Sequence, residues 1–397
     1  MSLRDSVMQR TILAFWNQPF ALSETFVYNQ VARLSRYEVA ILGAKLPPPP
    51  RIEPTNQPMY LINRLDAAGW WRELVFKGLG RVPNDLWQWL QRIQPSLIHA
   101  HFAPYGAIAL PLARQTRLPL LVSVHGTDVS MNDAAIWRSS YMAHRFYLLR
   151  RRALAHQVSR VITQSDFLSQ IVTARHGVPA EKVVCIRYGI DLSRFRPALQ
   201  CSEWGHILYV GRLIERKGLP FLIEALARLR GRFPDLRLTV IGDGPMRADY
   251  EAQAHHLLGD RVTFLGAQSS AVVHSYLERA YAFCMPSITM PTGEAESLGV
   301  VFLESMAMQV PPVSFRSGGI PEVIVHGQTG FLAEERNVAE LSYYLGLLLD
   351  QRNLRNSLGE QGRRWVEQEF DLVKQNQKLE DLYDEIIAER SSRYQQW

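Results

Sequence analysis

The sequence predicts an α/β protein of two Rossmann-like domains, each a doubly wound parallel sheet with helices on both faces. Its 397 residues exceed what one hydrophobic core usually organises, which predicts two domains of similar size. Short apolar segments alternate with segments of helical periodicity along the chain, and this repetition favours parallel sheets. A polar stretch at residues 197–202 separates two such series.

The first half alternates predicted strands with predicted helices. Residues 22–34 have helical periodicity, and Ser23 is of a type that caps helix N-termini. Residues 46–58 contain six prolines, which exclude regular structure there. The predicted strands of this half are residues 11–16, 37–43, 96–101, 118–126 and 160–165.

The second half repeats the alternation. Residues 218–229 have the pattern of an amphipathic helix with Pro220 in its first turn. Ligands of such sheets bind beyond the carboxyl ends of the strands, so we expect site residues directly after each strand. The predicted strands of this half are residues 206–211, 236–244, 261–266 and 282–287.

The composition is that of an ordinary soluble protein, with 47% hydrophobic and 21% charged residues. No apolar run reaches the length of a membrane span, and the first residues lack the layout of a signal peptide. Cys185, Cys201 and Cys284 are odd in number and lack metal-ligand spacing. We therefore expect reduced thiols in a cytoplasmic protein and no metal site.

Charge is spread unevenly between the two halves. Residues 1–195 carry 23 Lys and Arg against 12 Asp and Glu, whereas residues 196–397 carry 21 against 26. The densest cluster is Arg145, Arg150, Arg151 and Arg152. One interpretation is a solvated helix face, and the other is a surface for anionic lipid headgroups or a lipid-linked diphosphate. No nucleic-acid-binding motif accompanies the charge, so nucleic acid is not an expected partner.

Most of the distinctive motifs follow predicted strands of the second half. Two glutamates, Glu296 and Glu304, are separated by seven positions and preceded by the Gly- and Pro-containing run P-T-G-E-A. The other motifs of this half are G-R-L-I-E-R-K-G at residues 211–218, I-G-D-G-P at 241–245, S-G-G-I-P-E at 317–322 and H-G-Q-T-G-F-L at 326–332. In the first half, V-H-G-T-D at residues 124–128 ends a predicted strand.

Together these motifs resemble the retaining glycosyltransferases of family 4, which have the two-domain GT-B fold. The resemblance implies an acceptor-binding domain at residues 1–197 and a nucleotide-sugar-binding domain at residues 198–367, facing each other across a cleft. Residues 368–397 would then form a helix that returns to the first domain. It also implies transfer of a hexose-type sugar from a UDP- or GDP-sugar without a metal or other cofactor.

The first loop differs from the Gly-Gly loop of many members of this family. Residues 19–26 read P-F-A-L-S-E-T-F, a variant similar to that of members that assemble bacterial exopolysaccharides such as colanic acid and amylovoran. This resemblance implies a lipid-linked or polysaccharide acceptor, met in the cytoplasm or at the inner face of the plasma membrane. Ser23, Glu24 and Thr25 are expected to open a helix at the acceptor side.

The donor site is predicted from paired cations and paired acids. Arg212 and Lys217 flank a turn after a strand, where they would stabilise the charge that grows on a departing nucleoside diphosphate. Residues 297–299 (Ser297, Leu298 and Gly299) are expected to start a helix whose free N–H groups favour the diphosphate. If mostly helical, Glu296 to Glu304 spans about 12 Å, which matches the distance from a donor's sugar to its ribose.

Each acid then has its own predicted ligand. Glu304 suits the ribose diol, because a carboxylate accepts from two adjacent hydroxyls, and Glu296 suits the transferred sugar. The resemblance implies the same roles and places the base at Phe264 and Leu265. Gly242 and Gly244 either shape a turn or contact the ligand.

On the acceptor side, the resemblance places His125 near the donor sugar as a catalytic residue. Asp128 either binds the acceptor or caps a helix. His99 and His101 are two apart on a strand and point the same way, so we expect them to pack or to line the cleft, with His101 at the acceptor.

The mechanism and two alternative functions stay open. No carboxylate is placed as a covalent nucleophile, which favours front-face attack over double displacement. A sugar-nucleotide epimerase of the same fold would turn over donor without acceptor. A non-catalytic sugar-nucleotide- or membrane-binding subunit would usually lose one of Arg212, Lys217, Glu296 and Glu304, and all four are present.

Overall fold

A computed structural model describes residues 10–20, 25–47, 57–64, 66–197 and 202–395. The chain divides into two units. The first comprises Met1–Gly189 with Val373–Trp397, and the second comprises Ile190–Leu372. The sequence had placed these divisions after residues 197 and 367. Ser23, Glu24, Cys201 and most of the proline-rich loop lie outside the described residues.

The first unit is built on a seven-stranded sheet in the order β3-β2-β1-β4-β5-β6-β7, with every pair parallel. The strand order reverses beside β1, as in doubly wound sheets. The strands are β1 Arg10–Trp16, β2 Tyr37–Gly43, β3 Met59–Leu61, β4 Leu97–His101, β5 Leu120–Ser123, β6 Arg160–Thr163 and β7 Val183–Cys185.

Helices connect these strands. The helices are α1 Thr25–Val31, α2 Gly69–Leu79, α3 Asn84–Ile93, α4 Ala103–Thr116, α5 Thr127–Ser130, α6 Asp133–Arg138, α7 Met142–Gln157 and α8 Asp166–His176. Successive side chains of β1 enter different clusters, as the two-residue period of a strand requires. Leu13 and Phe15 pack into the cluster that includes α4, whereas Ile12 packs into a separate cluster.

The last helix of the chain covers the Ile12 face of this sheet. Leu379, Tyr383 and Ile386 pack there against Ile12 and Leu97. Burying a large apolar side chain contributes about 1.5–3 kcal/mol. The helix is therefore part of the first unit's core, although its residues come last in the sequence.

One carboxylate joins this helix to the turn before β2. The side chain of Glu380 is 1% exposed. It accepts hydrogen bonds from the backbone N–H groups of Ser35 at 2.5 Å and Arg36 at 2.7 Å, and from the Ser35 hydroxyl at 2.9 Å. Arg36 also pairs with Asp381 and Asp384. This cluster satisfies a buried charge with fixed donors, which a carboxylate needs in order to be buried.

The second unit has a six-stranded parallel sheet in the order β10-β9-β8-β11-β12-β13. Its strands are β8 His206–Val210, β9 Arg237–Ile241, β10 Val262–Phe264, β11 Ala282–Cys284, β12 Pro312–Phe315 and β13 Phe331–Ala333. Its helices are α9 Leu219–Leu229, α10 Arg247–Leu258, α11 Ser270–Arg279, α12 Val300–Ala307, α13 Val338–Asp350 and α14 Arg352–Glu369, and α15 Leu372–Gln395 follows.

The last predicted helix begins later than expected. Residues 368–397 were expected to form one helix, but α14 ends at Glu369 and α15 begins at Leu372. Between them, Ile190 donates to the carbonyl of Phe370 at 2.8 Å and accepts from the N–H of Leu372 at 3.2 Å. This pairing uses backbone groups that a continuous helix needs for itself. In the described part of the chain, no helix is both long and apolar enough to cross a membrane.

Candidate active site

The motifs of the second unit meet at one edge of its sheet. Residues 211–218 follow β8, residues 242–246 follow β9, residues 265–269 follow β10, residues 285–299 follow β11 and residues 316–322 follow β12. All are loops at the carboxyl ends of parallel strands, which is where ligands of open α/β sheets bind.

Gly242 and Gly244 allow two of these loops to touch. Gly242 has φ +140°, and a Cβ there would lie 1.9 Å from the carbonyl oxygen of Gly211. A Cβ on Gly244 would lie 2.4 Å from the carbonyl oxygen of Leu213. The backbones instead bond to each other, with Leu213 N–H donating to Asp243 O at 2.9 Å. The geometry favours the turn-shaping alternative for both glycines.

A short turn orients two neighbouring cations. Residues Glu215–Lys217 form a single 3₁₀ turn, and Gly218 ends it with φ +68°. A Cβ on Gly218 would lie 1.9 Å from the carbonyl oxygen of Pro286. The N–H of Ile288 donates to Arg216 O at 2.8 Å. The turn is thereby held against the loop that leads to Glu296.

Glu296 forms ion pairs with both Lys217 and Arg216. The Nζ atom of Lys217 lies 2.5 Å from Oε2 of Glu296, and Nη1 of Arg216 lies 3.3 Å from the same oxygen. Burial would raise the pKa of Glu296, but the charges of Lys217 and Arg216 hold it below its usual range. Burial lowers the pKa of Lys217, against the opposing charge of Glu296. The group is thus a buried, charged cluster of two cations around one carboxylate.

The Gly-Gly motif of residues 317–322 contacts the backbone of Glu296. The N–H of Gly319 donates to Glu296 O at 2.8 Å. Gly318 has φ +55°, and a Cβ there would lie 2.3 Å from the same carbonyl oxygen. Only a residue without a side chain allows this approach. The motif therefore holds the carboxylate's backbone in place.

The second acid lies on a helix that starts later than predicted. Residues 297–299 were expected to be its first turn, but α12 begins at Val300, with Gly299 before it at φ +82°. Ser297 and Leu298 are buried. The estimate of about 12 Å between the two acids assumed a mostly helical segment, so it does not apply to residues 296–299.

Glu304 lies on α12 in an environment opposite to that of Glu296. Burial raises its pKa to about 7, against the charge of Arg194. Among the described residues, no hydrogen bond or ion pair to its carboxylate is found within bonding distance. A carboxylate with raised pKa that lacks a donor of its own suits a ligand that brings hydroxyl donors.

The other residues predicted to bind the donor, Arg212, Phe264 and Leu265, lie outside the Lys217–Glu296–Arg216 cluster. Arg212 is exposed, although its charge acts on both Lys217 and Glu296. Phe264 and Leu265 are half-buried at the end of β10. The Leu265 carbonyl accepts from Gln268 Nε2 at 2.6 Å, so one backbone group predicted to hold a base is engaged within the chain.

His125 lies beyond the carboxyl end of β5 in the first unit. Its Nδ1 atom is 2.5 Å from the hydroxyl of Tyr188, and the two rings stack with an interplanar angle of 6°. Burial, followed by the charge of His99, lowers the pKa of His125 well below its usual range. The ring is therefore neutral at physiological pH and held in one orientation.

Asp128 holds backbone rather than offering a free carboxylate. One oxygen accepts from the N–H of His125 at 2.9 Å, and the other accepts from the N–H of Ala103 at 2.8 Å. Ala103 is the first residue of α4, so this contact caps that helix. The structure favours the capping alternative, and Asp128 joins α4 to the loop that holds His125.

His99 and His101 lie side by side, as their spacing predicted, with ring centroids 4.2 Å apart. His99 bonds to the hydroxyls of Tyr383 and Ser123, each at 2.7 Å. His101 stacks on His125 at 5.5 Å. Neither ring nitrogen of His101 has a hydrogen-bond partner among the described residues. Both histidines are fully buried, and burial lowers the pKa of each.

The predicted first-loop residues are only partly described. Ser23 and Glu24 lie outside the described residues. Thr25 begins α1, which agrees with the expected start of a helix. That helix has seven residues.

The arginine cluster is not a single patch, which corrects the sequence-based grouping. Arg150 donates to the carbonyls of Lys77 and Gly78 at the end of α2. Arg151 donates to both carboxylate oxygens of Asp133. Of the four, Arg145 and Arg152 are exposed. The helical period places Arg150 and Arg151 toward neighbouring helices, which a count of charges does not show.

Two residues of the site were missed in the sequence. Arg216 precedes Lys217 and reaches Glu296, whereas the more distinctive Arg212 stays exposed. Tyr188 lies 63 positions from His125, so nothing local connects them. The signal for Arg216 was its adjacency to Lys217 within one turn. Among the described residues, no group of three or more His, Cys, Asp and Glu side chains is arranged to hold a metal ion.

Comparisons with known proteins identify related chains. The family model for glycosyl transferases group 1 matches residues 202–365, and that for glycosyltransferase family 4 matches residues 23–194. A GDP-mannose-dependent α-(1-6)-phosphatidylinositol monomannoside mannosyltransferase of Mycobacterium tuberculosis is 30% identical over 281 residues, which are 67% of this chain and 70% of that protein. The colanic acid biosynthesis glycosyltransferase WcaL of Salmonella typhimurium is 29% identical over 335 residues, 81% of this chain and 80% of that protein.

Solved structures share the fold over nearly the whole chain. A sucrose-phosphate synthase of Thermosynechococcus elongatus aligns with a TM-score of 0.75 at 20% identity, covering 96% of this chain and 99% of that chain. HepE of Anabaena in complex with UDP aligns with a TM-score of 0.73 at 20% identity, covering 95% of this chain and 100% of that chain. At this level of identity the similarity establishes the fold.

Proposed function

Because this chain belongs to the family of glycosyl transferases group 1 and is a glycosyltransferase, we propose that it transfers a hexose-type sugar from a UDP- or GDP-sugar, with retention and without a metal. The predicted GT-B class, with two Rossmann-like parallel sheets, is confirmed. The observation that carries the proposal is the Lys217–Glu296–Arg216 cluster at the strand ends of the second unit. We assign donor binding to the second unit and acceptor binding to the first.

The cations of this cluster take the diphosphate. Lys217 and Arg216 lie on a turn that follows β8, and Arg212 adds an exposed positive charge nearby. As the glycosidic bond breaks, negative charge grows on the departing phosphate, and fixed cations stabilise it without reorganising. Each charge-assisted contact is worth about 1.5–3 kcal/mol.

The two acids take the two sugars of the donor. Glu296 is kept ionised by its cations, so its carboxylate can accept from hydroxyls of the transferred sugar and oppose positive charge at the anomeric carbon. Glu304 takes the ribose diol. Two hydroxyl donors stabilise the ionised form of a carboxylate, so nucleotide binding is expected to draw the raised pKa of Glu304 back down.

We assign His125 a catalytic role in orienting the transferred sugar. Its neutral ring can donate from one nitrogen and accept at the other, and the Tyr188 hydroxyl occupies its Nδ1 side. In the front-face scheme, the bond from the anomeric carbon to the phosphate oxygen breaks. The acceptor oxygen bonds to the same face of that carbon, and the departing phosphate oxygen takes the acceptor's proton.

The names of relatives support a cell-envelope or exopolysaccharide substrate. One relative is named for transfer to a phosphatidylinositol monomannoside and another for colanic acid biosynthesis. We therefore propose a lipid-linked or polysaccharide acceptor, with the enzyme acting in the cytoplasm at the inner face of the plasma membrane.

We propose that the membrane-binding surface is one stripe of α7. Met142, Arg145, Leu149 and Arg152 are all exposed, and Leu149 is 74% exposed. Their spacing of three or four residues places them on one helix face. Alternating apolar and cationic side chains suit the boundary between anionic headgroups and acyl chains.

A donor panel tests the proposed function. The purified protein is incubated with UDP- and GDP-hexoses, with and without a lipid extract, and released UDP or GDP is measured. Release that requires acceptor supports transfer. Interconversion of the donor without acceptor would indicate an epimerase, and binding without turnover would indicate a non-catalytic subunit. Nuclear magnetic resonance of the product's anomeric configuration tests retention, and activity in excess chelator tests metal independence.

A further inference from the structure

The first unit contains a cavity that the proposed reaction does not use. Its volume is about 600 Å³, within the range of small-molecule sites. It lies between α4, the end of α7 and the last turns of α15. Leu120 and Arg160, the first residues of β5 and β6, line it.

The cavity and His125 lie at opposite ends of the same strand. Leu120 begins β5, whereas His125 follows its last residue, Ser123. A strand rises about 3.3 Å per residue, and five residues separate the two positions, so they lie about 16 Å apart. The cavity is therefore at the opposite edge of the sheet from the residues assigned to catalysis.

The lining of the cavity combines an apolar wall with a cationic rim. Leu110, Leu120 and Ile386 belong to the wall. The lining contains five Lys and Arg side chains and one carboxylate, that of Glu389. The cations are Arg114, Arg117, Arg160, Lys182 and Arg390.

Within the described residues, two of these cations, Arg114 and Lys182, bond to neutral acceptors. Arg160 pairs with Glu389 and with Glu385. Arg114 donates instead to the neutral side chain of Gln157 at 2.6 Å, and Lys182 donates to the carbonyl of His156 at 2.6 Å. Neutral acceptors satisfy hydrogen bonds but leave the positive charge uncompensated.

Arg117 occupies an unfavourable backbone position at this rim. It ends α4 with φ +55° and ψ +26°, in the left-handed region. Helices prefer Gly or Asn there, and another residue costs about 1–2 kcal/mol. Within the described chain no hydrogen bond or ion pair to its guanidinium is found. The chain therefore keeps a cation at this rim, in a position where glycine would be favoured.

We propose that this cavity binds an amphiphilic phosphate, with the phosphate group among Arg114, Arg117 and Lys182 and the apolar part against Leu110, Leu120 and Ile386. The apolar wall and the cationic rim together indicate a ligand with both an apolar part and an anionic part. A free inorganic anion needs no apolar wall, and an uncharged apolar ligand needs no cations. The site is separate from the donor and acceptor sites and does not depend on the proposed function.

Isothermal titration of the full-length protein with monododecyl phosphate, below its micellar concentration, tests the proposal. Inorganic phosphate is titrated in parallel to probe the cations alone. We expect monododecyl phosphate to bind at least about tenfold more tightly, because each buried CH₂ group adds about 0.8 kcal/mol. Equal affinity for the two probes would overturn the assignment of an amphiphile.

The variant Arg117→Gly removes one cation at a position where glycine is favoured. Its unfolding temperature is expected to equal or exceed that of the unchanged protein. Combined with Arg114→Gln, it should weaken binding of monododecyl phosphate at least about tenfold, since charge-assisted contacts are lost. Unchanged affinity in this folded double variant would overturn the proposal.

Two matched variants locate the binding. Arg228→Gln removes an exposed arginine of α9 in the second unit and should leave binding unchanged. Lys217→Ala removes a cation of the donor site and should also leave it unchanged. Loss of binding in Lys217→Ala alone would assign the phosphate to the donor site and reject the cavity. To identify the source of the ligand, bilayer vesicles containing phosphatidic acid are compared with the soluble probe: competition by vesicles indicates a membrane lipid, and its absence indicates a soluble amphiphile.

Discussion

Lys217 and Glu296 form a close ion pair, with Nζ 2.5 Å from Oε2, inside the loops that end the strands of the second unit. From the sequence, the cation is predicted to contact the diphosphate and the acid to contact the sugar. Their contact means that each also keeps the other charged. Removing one partner therefore has two effects, on catalysis and on folding, which can be measured separately.

We expect Lys217→Ala to lower kcat by about 10- to 100-fold, since one charge-assisted contact to the leaving group is lost. It should also lower the free energy of unfolding, by no more than about 3–5 kcal/mol, because Glu296 loses its nearest cation and keeps the ion pair with Arg216. The double variant Lys217→Ala, Glu296→Gln should regain part of this stability and none of the activity. Full activity of Lys217→Ala would remove this residue from the mechanism.

Glu304→Gln should stabilise the free protein at pH 8. The pKa of Glu304 is about 7 in the folded state and about 4.5 when unfolded, so the folded state binds more protons between these values. Stability therefore falls as pH rises from about 4.5 to 7. The variant should remove this loss, worth up to about 3 kcal/mol, as measured by urea unfolding at pH 5 and 8.

The same substitution should weaken nucleotide binding. Because the ribose is proposed to bind the ionised carboxylate, affinity for UDP or GDP should rise with pH up to about 7 and then level off. Calorimetry in two buffers of different ionisation enthalpy would show proton release near pH 7. Glu304→Gln should show neither effect, and a pH-independent affinity of the unchanged protein would contradict the role of Glu304.

The buried histidines should make the first unit sensitive to acid. Burial lowers the pKa of His99 to about 3 and places that of His101 well below 6.5. The unfolded chain thus binds more protons below pH 6.5, and stability falls as pH drops. In His101→Phe, which keeps an aromatic ring, the slope should shrink by about 1.4 kcal/mol per pH unit. An unchanged slope in His101→Phe would contradict this role of the buried histidines.

Glu380→Ala should loosen α15 from the first unit. Three hydrogen bonds from Ser35 and Arg36 end on this nearly buried carboxylate, and the substitution would remove all three. We expect a loss of about 2–4 kcal/mol in the free energy of unfolding. The neighbouring Asp381→Asn removes a carboxylate that is 71% exposed and should cost less than about 1 kcal/mol. Equal effects of the two would contradict the anchoring role.

Membrane binding should depend on Arg145 and Arg152 and not on the whole arginine cluster. Changing both to Glu is expected to reduce sedimentation with anionic vesicles, because each cation near the surface contributes about 1 kcal/mol. Thermal unfolding should be unchanged, since neither side chain has, among the described residues, a hydrogen bond of the kind seen for Arg150 and Arg151. If the variant sediments with vesicles as the unchanged protein does, the α7 stripe is a solvated helix face and not a membrane-binding surface.

Most of the regular elements were predictable from the pattern of apolar residues. All nine predicted strands are present, and the helix predicted at 218–229 is α9 Leu219–Leu229. The four unpredicted strands, β3, β7, β12 and β13, have three or four residues each. Length alone does not explain the difference, because the predicted strands β10 and β11 also have three residues each; those two lie within longer predicted segments, residues 261–266 and 282–287.

The candidate site divides in the same way. Gly218, Gly242 and Gly318 could be recognised because close backbone approach restricts those positions to glycine, and such a restriction is visible in the letters of a motif. In contrast, the residue that a side chain contacts in the folded protein cannot be read from the sequence around it. Lys217 was predicted, but that it meets Glu296 together with Arg216 depends on how two loops pack.

From the order of its residues alone, this chain specifies two wound parallel sheets and the loops at which its ligands bind, because periodicity and glycine placement act over short distances. Tertiary packing decided which charges are engaged. It turned Arg150 and Arg151 toward neighbouring helices, brought Tyr188 to His125 and sealed Glu380 beneath the turn before β2. Those outcomes depend on burial and on contacts between distant segments, and both arise only when the chain is folded.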